Sequence, residues 1–367
     1  MWEMRWTRPP CAMMRLHNIK PASKKEGPPM SKFNTIGIDL AKQIFQVHIN
    51  DANGKKLSSK KLKRSQLLDY IRQQPNALVA IEACSGAHWW ARQFQSLGHA
   101  VKVIHPAYVK PFVQMHKNDQ RDAQAIAEAA VRPNIPAVSV KSQEQLDLQA
   151  IHRVRERLVK EKTAISNELR GILAECGIVL AQGRSALKTG VPLILEDAEN
   201  GLSDPLRCLV SDLMQQWYEQ VERIARYERQ LQQISRQNED CQRLMSIPGI
   251  GPVNATLLLS HAGSARQFKT ARHFAAYLGL VPRQHASGGK EKLMGITKRG
   301  NKQVRKQLVH GARSAYRALL AKTDPSRLKT WLMRCEGKHP NKVIVALANK
   351  LARIIWVVLT RQTAYEA

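Results

Sequence analysis

Residues 34–50 read NTIGIDLAKQIFQVHIN, two short stretches in which apolar and polar side chains alternate, and Asn53-Gly54 follows as a hairpin signal. A period of two fits a pleated strand with one buried face and does not fit a helix, so the patterned part of the chain opens on a β-meander. Residues Ser65 to Gln74 then carry a helical pattern. Ala77–Ala83 (ALVAIEA) is a continuous apolar run of the length of a strand buried on both faces. A helix over His88 to Leu97 is expected to close at Gly98. A short strand, Ala100 to Ile104, precedes a helical region ending in DQRDAQAIAEAA, Asp119 to Ala130. A meander followed by alternating strands and helices predicts a mixed α/β sheet covered by helices.

The pattern changes from about Ser142. Ile151, Val154, Leu158, Ile165 and Ile172 fall near heptad spacing up to Glu175, and Leu213, Trp217, Val221, Ile224, Leu231 and Ile234 form one stripe on a second long helix. A connection containing glycine and proline lies between them, so either an antiparallel helical hairpin or an intermolecular coiled coil is expected. From about Gln242 the chain is helical with glycine-rich interruptions. The expected division is therefore a leader over 1–29, an α/β domain over 30–141, a helical hairpin or coiled coil over 142–241, and a mostly α domain over 242–367. Residues 1–29 lack both periodicity and the apolar core of a signal peptide. Translation is expected to begin at Met30, with the preceding residues disordered or not part of the native chain.

Charge narrows the function. Lys and Arg outnumber Asp and Glu by 58 to 29 in 367 residues, a formal net charge of +29 that a polyphosphate partner explains most simply. Basic architectural proteins share this property, so charge argues for nucleic-acid binding and not for catalysis. The six cysteines show neither zinc-ligand spacing nor a disulfide framework. Val343 to Leu359 is apolar but interrupted by Lys350 and Arg353, short of the ~18 clean residues of a membrane span, so a buried helix, no membrane partner and a cytoplasmic, nucleoid-associated location are expected.

Against this basic background the acids stand out. Asp39 ends one strand-like segment and Glu82 lies near the end of another, while Asp119 and Asp122 are spaced to share a helix face. Four carboxylates from three elements could converge on one or two Mg²⁺ ions and serve phosphodiester cleavage. The plainer alternative makes Asp119 a helix N-cap and Asp122 a favourable first-turn charge.

Two further segments suggest nucleic-acid contact. LMSIPGIGPVNATLLLS (244–260) resembles a helix-hairpin-helix, with Gly249 and Gly251 letting backbone approach phosphate; the alternative is a turn between packed helices. GLVPRQHASGGKEKLMGITKRG (279–300) reads as a polar, glycine-rich loop followed by a basic helix bearing Lys298, Arg299, Lys302, Arg305 and Lys306. Within the loop, Ser287 precedes Gly288 and Gly289, which would admit DNA closely, and His285 and Lys290 flank it as proton acceptor or phosphate ligand.

GIDLAK around Asp39, IEACSGAHWWAR around Glu82, KNDQRDAQAI around Asp119 and Asp122, then IPGIGPVNA, FAAYLGLVPRQHASGGK and GITKRGNKQVRKQL resemble, in order, the DEDD transposases of bacterial insertion sequences, the bridge-RNA-guided recombinases. The resemblance spans nearly everything from Met30 onward. It implies an N-terminal RuvC-like, ribonuclease H-like domain whose acids Asp39, Glu82, Asp119 and Asp122 bind Mg²⁺. It implies also a C-terminal transposase domain whose serine, matching Ser287, becomes transiently linked to DNA. Homo-oligomers pairing one subunit's acids with another's serine, and a noncoding guide RNA, belong to the same implication. Two other functions remain to be weighed: a RuvC-like junction nuclease needing no serine, and a non-catalytic architectural protein needing no acids.

Overall fold

The computed structural model describes residues 33–113, 118–321 and 326–366. The leader and Met30 lie outside the described residues. The chain divides into two compact units between Val140 and Lys141, so the segments 142–241 and 242–367 fall in one unit.

The first unit is built on a six-stranded sheet in the order β3-β2-β1-β4-β5-β6. Its strands are β1 (Thr35–Asp39), β2 (Ile44–Asn50), β3 (Lys56–Lys63), β4 (Leu78–Glu82), β5 (Ala100–Ile104) and β6 (Ala137–Val138). The first three form the expected antiparallel meander, with Gly54 at φ +85° in the β2–β3 turn. β4 and β5 run parallel to β1, and β6 returns antiparallel. Helices α1 (Leu67–Arg72), α2 (Ala87–Ser96), α3 (Pro106–Val109) and α4 (Asp119–Ala130) complete the unit.

Alternation along the strands sorts two cores. Ile36, Ile38, Phe45, Val47, Val79 and Ile81 pack with Leu67 and Ile71 of α1 and Trp90 and Phe94 of α2. On the opposite face, Ala80 and Ile104 pack with Ala125, Ile126 and Ala129 of α4. β4 thus contributes to both cores, which is why its sequence is apolar without alternation.

The second unit begins with α5 (Gln143–Glu175), whose N-cap Ser142 and Gln145 form a reciprocal capping box. α5 pairs with α7 (Asp204–Gln237). Trp217 Nε1–H donates to Ser166 Oγ at 2.9 Å, and Arg155 pairs with Glu228 farther along. Residue numbers rise on one helix as they fall on the other, so the pair is an antiparallel hairpin within one chain. Its stripe is occupied internally by Leu213, Trp217, Ile224 and Leu231, all buried. The glycine- and proline-containing connection holds a helix for which the sequence carried no expectation, α6 (Arg184–Glu196), despite Gly190 and Pro192. Leu187 and Val191 of α6 lie in one core with Leu169, Leu173 and Trp217, and burial of that face outweighs the weak local helix signal.

The remaining helices are α8 (Glu239–Met245), α9 (Pro252–Ala262), α10 (Ala271–Tyr277), α11 (Lys302–Ala321), α12 (Arg327–Met333) and α13 (Pro340–Arg361). α13 is long and apolar enough to pass as a membrane span. It is instead a core helix of this unit: Leu347, Leu351 and Ile355 are wholly buried, and Asn349 and Trp356 donate to the carbonyls of Leu280 and Phe268. The expected loop of residues 279–300 is a β-hairpin, β7 (Pro282–Ser287) and β8 (Lys290–Ile296). Its strands carry little apolar alternation because nearly every residue is exposed, so the pattern that reveals half-buried strands is missing.

Candidate functional site

In the first unit, β1 and β4 are neighbours with Ile38 opposite Ile81, so the next residues, Asp39 and Glu82, close the two strands side by side. The third element is α4. Asn118 is its N-cap, with the side-chain oxygen accepting from Gln120 N–H at 3.0 Å, so neither Asp119 nor Asp122 is consumed as the cap. Both sit in the first turn, where the helix dipole favours negative charge. Carboxylate oxygens of Asp39, Asp119 and Asp122 all lie within 4.8 Å of one another. Glu82 is outside this trio but close by, since Glu82 and Asp39 both bear on Cys84. The thiol is pushed upward in pKa by burial first and then by these two carboxylates.

Gly37 explains how α4 comes so near. It shares a sheet face with Asp39, two residues on, and a Cβ there would stand 2.2 Å from the Ala123 carbonyl oxygen and 2.7 Å from Ala127 N. The bare glycine lets the helix backbone lie on the strand and bring its first turn to the strand end. Neither Gly37 nor Asn118 was singled out from the sequence, although G-x-D at a strand end and N-D at a helix start are legible signals. Three hard oxygen donors at this spacing suit a divalent cation such as Mg²⁺.

In the second unit, Ser287 ends β7, and Gly288 and Gly289 have φ of +53° and +77°, a turn with both central residues left-handed. No atom within 4 Å would meet a Cβ at either glycine, so the tip is open. Ser287 pairs with Lys290, and His285 with Lys292. Residues directly opposite share a face, so Ser287, His285, Lys290 and Lys292 line one side of the hairpin. Lys292 went unnoticed in the sequence because only the strand register reveals it.

The other candidate nucleic-acid residues separate. Lys298 and Arg299 precede α11 instead of riding on it, Lys298 at φ +56°. Both are exposed, as is Lys302 in the helix's first turn. Arg305 Nη1 donates to the carbonyls of Leu278 and Arg299, and Lys306 pairs with Glu156 at 3.3 Å. Those two cations therefore brace the fold. Gly249 and Gly251 divide likewise: a Cβ on Gly249 would stand 2.2 Å from the Gly311 carbonyl oxygen of α11, whereas Gly251, the N-cap of α9, faces open space.

Comparison with known proteins adds identity to this geometry. Residues 36–178 match a DEDD transposase model, and residues 241–327 match the model described as "Transposase IS116/IS110/IS902 family". A "Probable family 20 transposase" of Pseudomonas aeruginosa is 46% identical over 332 residues, 90% of this chain and 98% of the relative. The transposase for insertion sequence element IS1111A of Coxiella burnetii is 42% identical, with 96% of each chain covered. That for IS1328 of Yersinia enterocolitica is 40% identical over 92% of this chain and 99% of its own. With similarity of this degree along nearly the whole of both sequences, the chain belongs to the IS116/IS110/IS902 family of insertion-sequence transposases.

Proposed function

We propose that this transposase cuts and rejoins DNA through a covalent serine–DNA intermediate at Ser287, with Mg²⁺ held by Asp39, Glu82, Asp119 and Asp122. The observation that carries the metal half is the approach of three carboxylates to within 4.8 Å at the end of the β1 strand. Asp39 and Glu82 at the carboxyl ends of adjacent parallel strands, beyond an antiparallel meander, with Asp119 and Asp122 on the first turn of α4, support the RuvC-like, ribonuclease H-type reading of this unit. A divalent ion bound there supplies Lewis-acid stabilisation of charge on phosphate oxygens. Glu82, beside the trio, completes the acidic set.

Support for Ser287 is its place at an open hairpin tip, on the same face as His285, Lys290 and Lys292. The Ser287 hydroxyl gives up its proton, to His285 or to water, as Oγ bonds to phosphorus. The P–O bond to one deoxyribose oxygen breaks, and that oxygen takes up a proton. Rejoining is the reverse, a deoxyribose hydroxyl displacing the serine oxygen from phosphorus and the serine regaining its proton. Lys290 and Lys292 offset phosphate charge, and Gly288 and Gly289 admit the backbone of the strand. Lys298, Arg299 and Lys302 extend the cationic surface, with Arg305 and Lys306 securing it. The α8–α9 turn acts as a helix-hairpin-helix in which Gly251 approaches phosphate and Gly249 fixes the turn to α11. Assembly as a homo-oligomer, guidance by a noncoding RNA and a nucleoid location complete the proposal and rest on the family resemblance.

Ser287→Ala and Asp39→Ala are each expected to abolish excision while leaving DNA binding close to wild type. A nicked element end incubated with wild type should leave a protein–DNA adduct on a denaturing gel, and Ser287→Ala should leave none. Cleavage that persists in Ser287→Ala and still requires Asp39 would replace this reading with a water-using junction nuclease. Activity indifferent to all four acids would leave only an architectural role.

A further inference from the structure

At the same end of the first unit's sheet as the acids, a groove of about 670 Å³ opens between the start of β2, the end of β3 and the first turn of α2. It is lined by Gln43, Ile44, Lys63, Arg64, Trp89 and Trp90, among others. Two large apolar side chains are left standing at its mouth: Ile44 is 57% exposed and Trp89 42%. Trp89 meets Trp90 edge-on at 4.8 Å between centroids, which fixes its ring without covering it. The Arg64 guanidinium lies over Trp90 at 5.1 Å and near Phe45 at 6.0 Å, a stacked arrangement that keeps its planar N–H edge available for an anion. β3 leads away from the groove with Lys56, Lys60, Lys61 and Lys63 along the sheet's edge.

We propose that this groove holds an unpaired segment of the DNA strand being exchanged, a base stacking on Trp89 while Arg64 and the β3 lysines follow its phosphates. Lysines on an edge strand also deter pairing with another sheet, and that alone would account for β3. It would not account for an exposed indole and isoleucine beside a stacked guanidinium. Aromatic platforms flanked by a cationic track are how proteins hold single strands without reading sequence. A buried duplex base offers no ring face, so the groove should discriminate against duplex. β1 and β4 end at Asp39 and Glu82, and β2 begins and β3 ends at that same side of the sheet. The acids on the α4 face and the groove beside α2 thus share one end of it, and a strand engaged at the acids reaches the groove by rounding that end. The inference rests on the chain's action on DNA and not on Ser287.

The test is fluorescence anisotropy on the full chain without divalent ions, using labelled oligo-dT of about twelve nucleotides, a duplex of equal length, and oligo-rU. Trp89→Ala should weaken oligo-dT binding about tenfold, the loss of one stacked base, and leave duplex binding unchanged. Trp89→Phe should recover most of the loss, and Lys63→Glu should weaken oligo-dT binding while leaving the thermal unfolding midpoint unchanged. Unaltered oligo-dT binding in Trp89→Ala would overturn the proposal. So would an equal loss on duplex, or a loss confined to oligo-rU, which would make the groove an RNA site. Since none of these readouts involves strand cleavage, a failure of the serine mechanism leaves them interpretable.

Discussion

Single atoms decide whether the acidic site exists. Gly37 carries no side chain where the backbone of α4 crosses, and the 2.2 Å that would separate a Cβ from the Ala123 carbonyl leaves the helix no choice but to move. Gly37→Ala is expected to cost about 1–3 kcal/mol in overpacking and to weaken Mg²⁺ or Mn²⁺ binding with it. Denaturant unfolding and calorimetric titration of the metal would measure both; a variant with full metal affinity would show that α4 is not positioned by this contact. His152 in the second unit is a case of chemistry decided by burial. Thr256 donates its hydroxyl proton to the Pro252 carbonyl, so its oxygen accepts from His152 Nε2–H at 3.1 Å, and the imidazole is neutral. Burial, assisted by the Arg155 charge, pushes its pKa down to about 4. Above pH ~6.5 both folded and unfolded chains hold it neutral. Between ~6.5 and ~4 only the unfolded chain takes up the proton, so stability falls as pH falls, by about 2 kcal/mol from this group between pH ~7.5 and ~5. The unfolding free energy of wild type should therefore drop more steeply over that interval than that of His152→Gln, and parallel curves would refute the neutral, buried imidazole.

Among the elements, α4 was the most legible and α6 the least, for opposite reasons. α4 announces itself by alanines and acids in a short run, and its cap is written immediately before it as Asn118. Replacing Asn118 with Ala removes one satisfied helix N–H at the site itself. The expected loss is about 1 kcal/mol of stability, together with weaker metal binding because the turn carrying Asp119 and Asp122 frays first. Hydrogen exchange over 119–123 would reveal such fraying, and unchanged protection there would argue that tertiary contacts alone hold the turn. α6 is a helix because Leu187 and Val191 are buried beside Trp217, a long-range fact that neighbouring residues do not encode. The β7–β8 hairpin was missed through exposure: without a buried face there is no alternation to read, and only its Gly-Gly turn was written in the sequence. β1 and β2 were legible because apolar and polar side chains alternate along them, and β4 as an apolar run buried on both faces. β3, with no buried residue, was marked only by the Asn53-Gly54 turn before it. Of the site, the residue types were legible but their register was not, which is why Lys292 joins Ser287 only through strand pairing.

At the scale of the whole molecule, the +29 charge provides non-specific attraction to DNA, and in the proposed mechanism two chemically distinct centres act on what is attracted. Asp39 and Ser287 belong to different compact units, so the chain's own connectivity does not require that both act from the same copy. Mixing inactive variants decides the matter. Asp39→Asn supplies good serines and spoiled acids, whereas Ser287→Ala supplies good acids and a spoiled serine. If each working centre draws its acids from one copy and its serine from another, a mixed oligomer contains some centres in which both contributions are intact. Co-expression should then restore excision to a measurable fraction of wild type, although neither variant is active alone. If acids and serine act within a single copy, every centre in the mixture retains one lesion, and no ratio of the two proteins restores activity. Adding the double variant Asp39→Asn, Ser287→Ala in place of either partner controls for simple stabilisation of the assembly, because it can complete no centre of either kind.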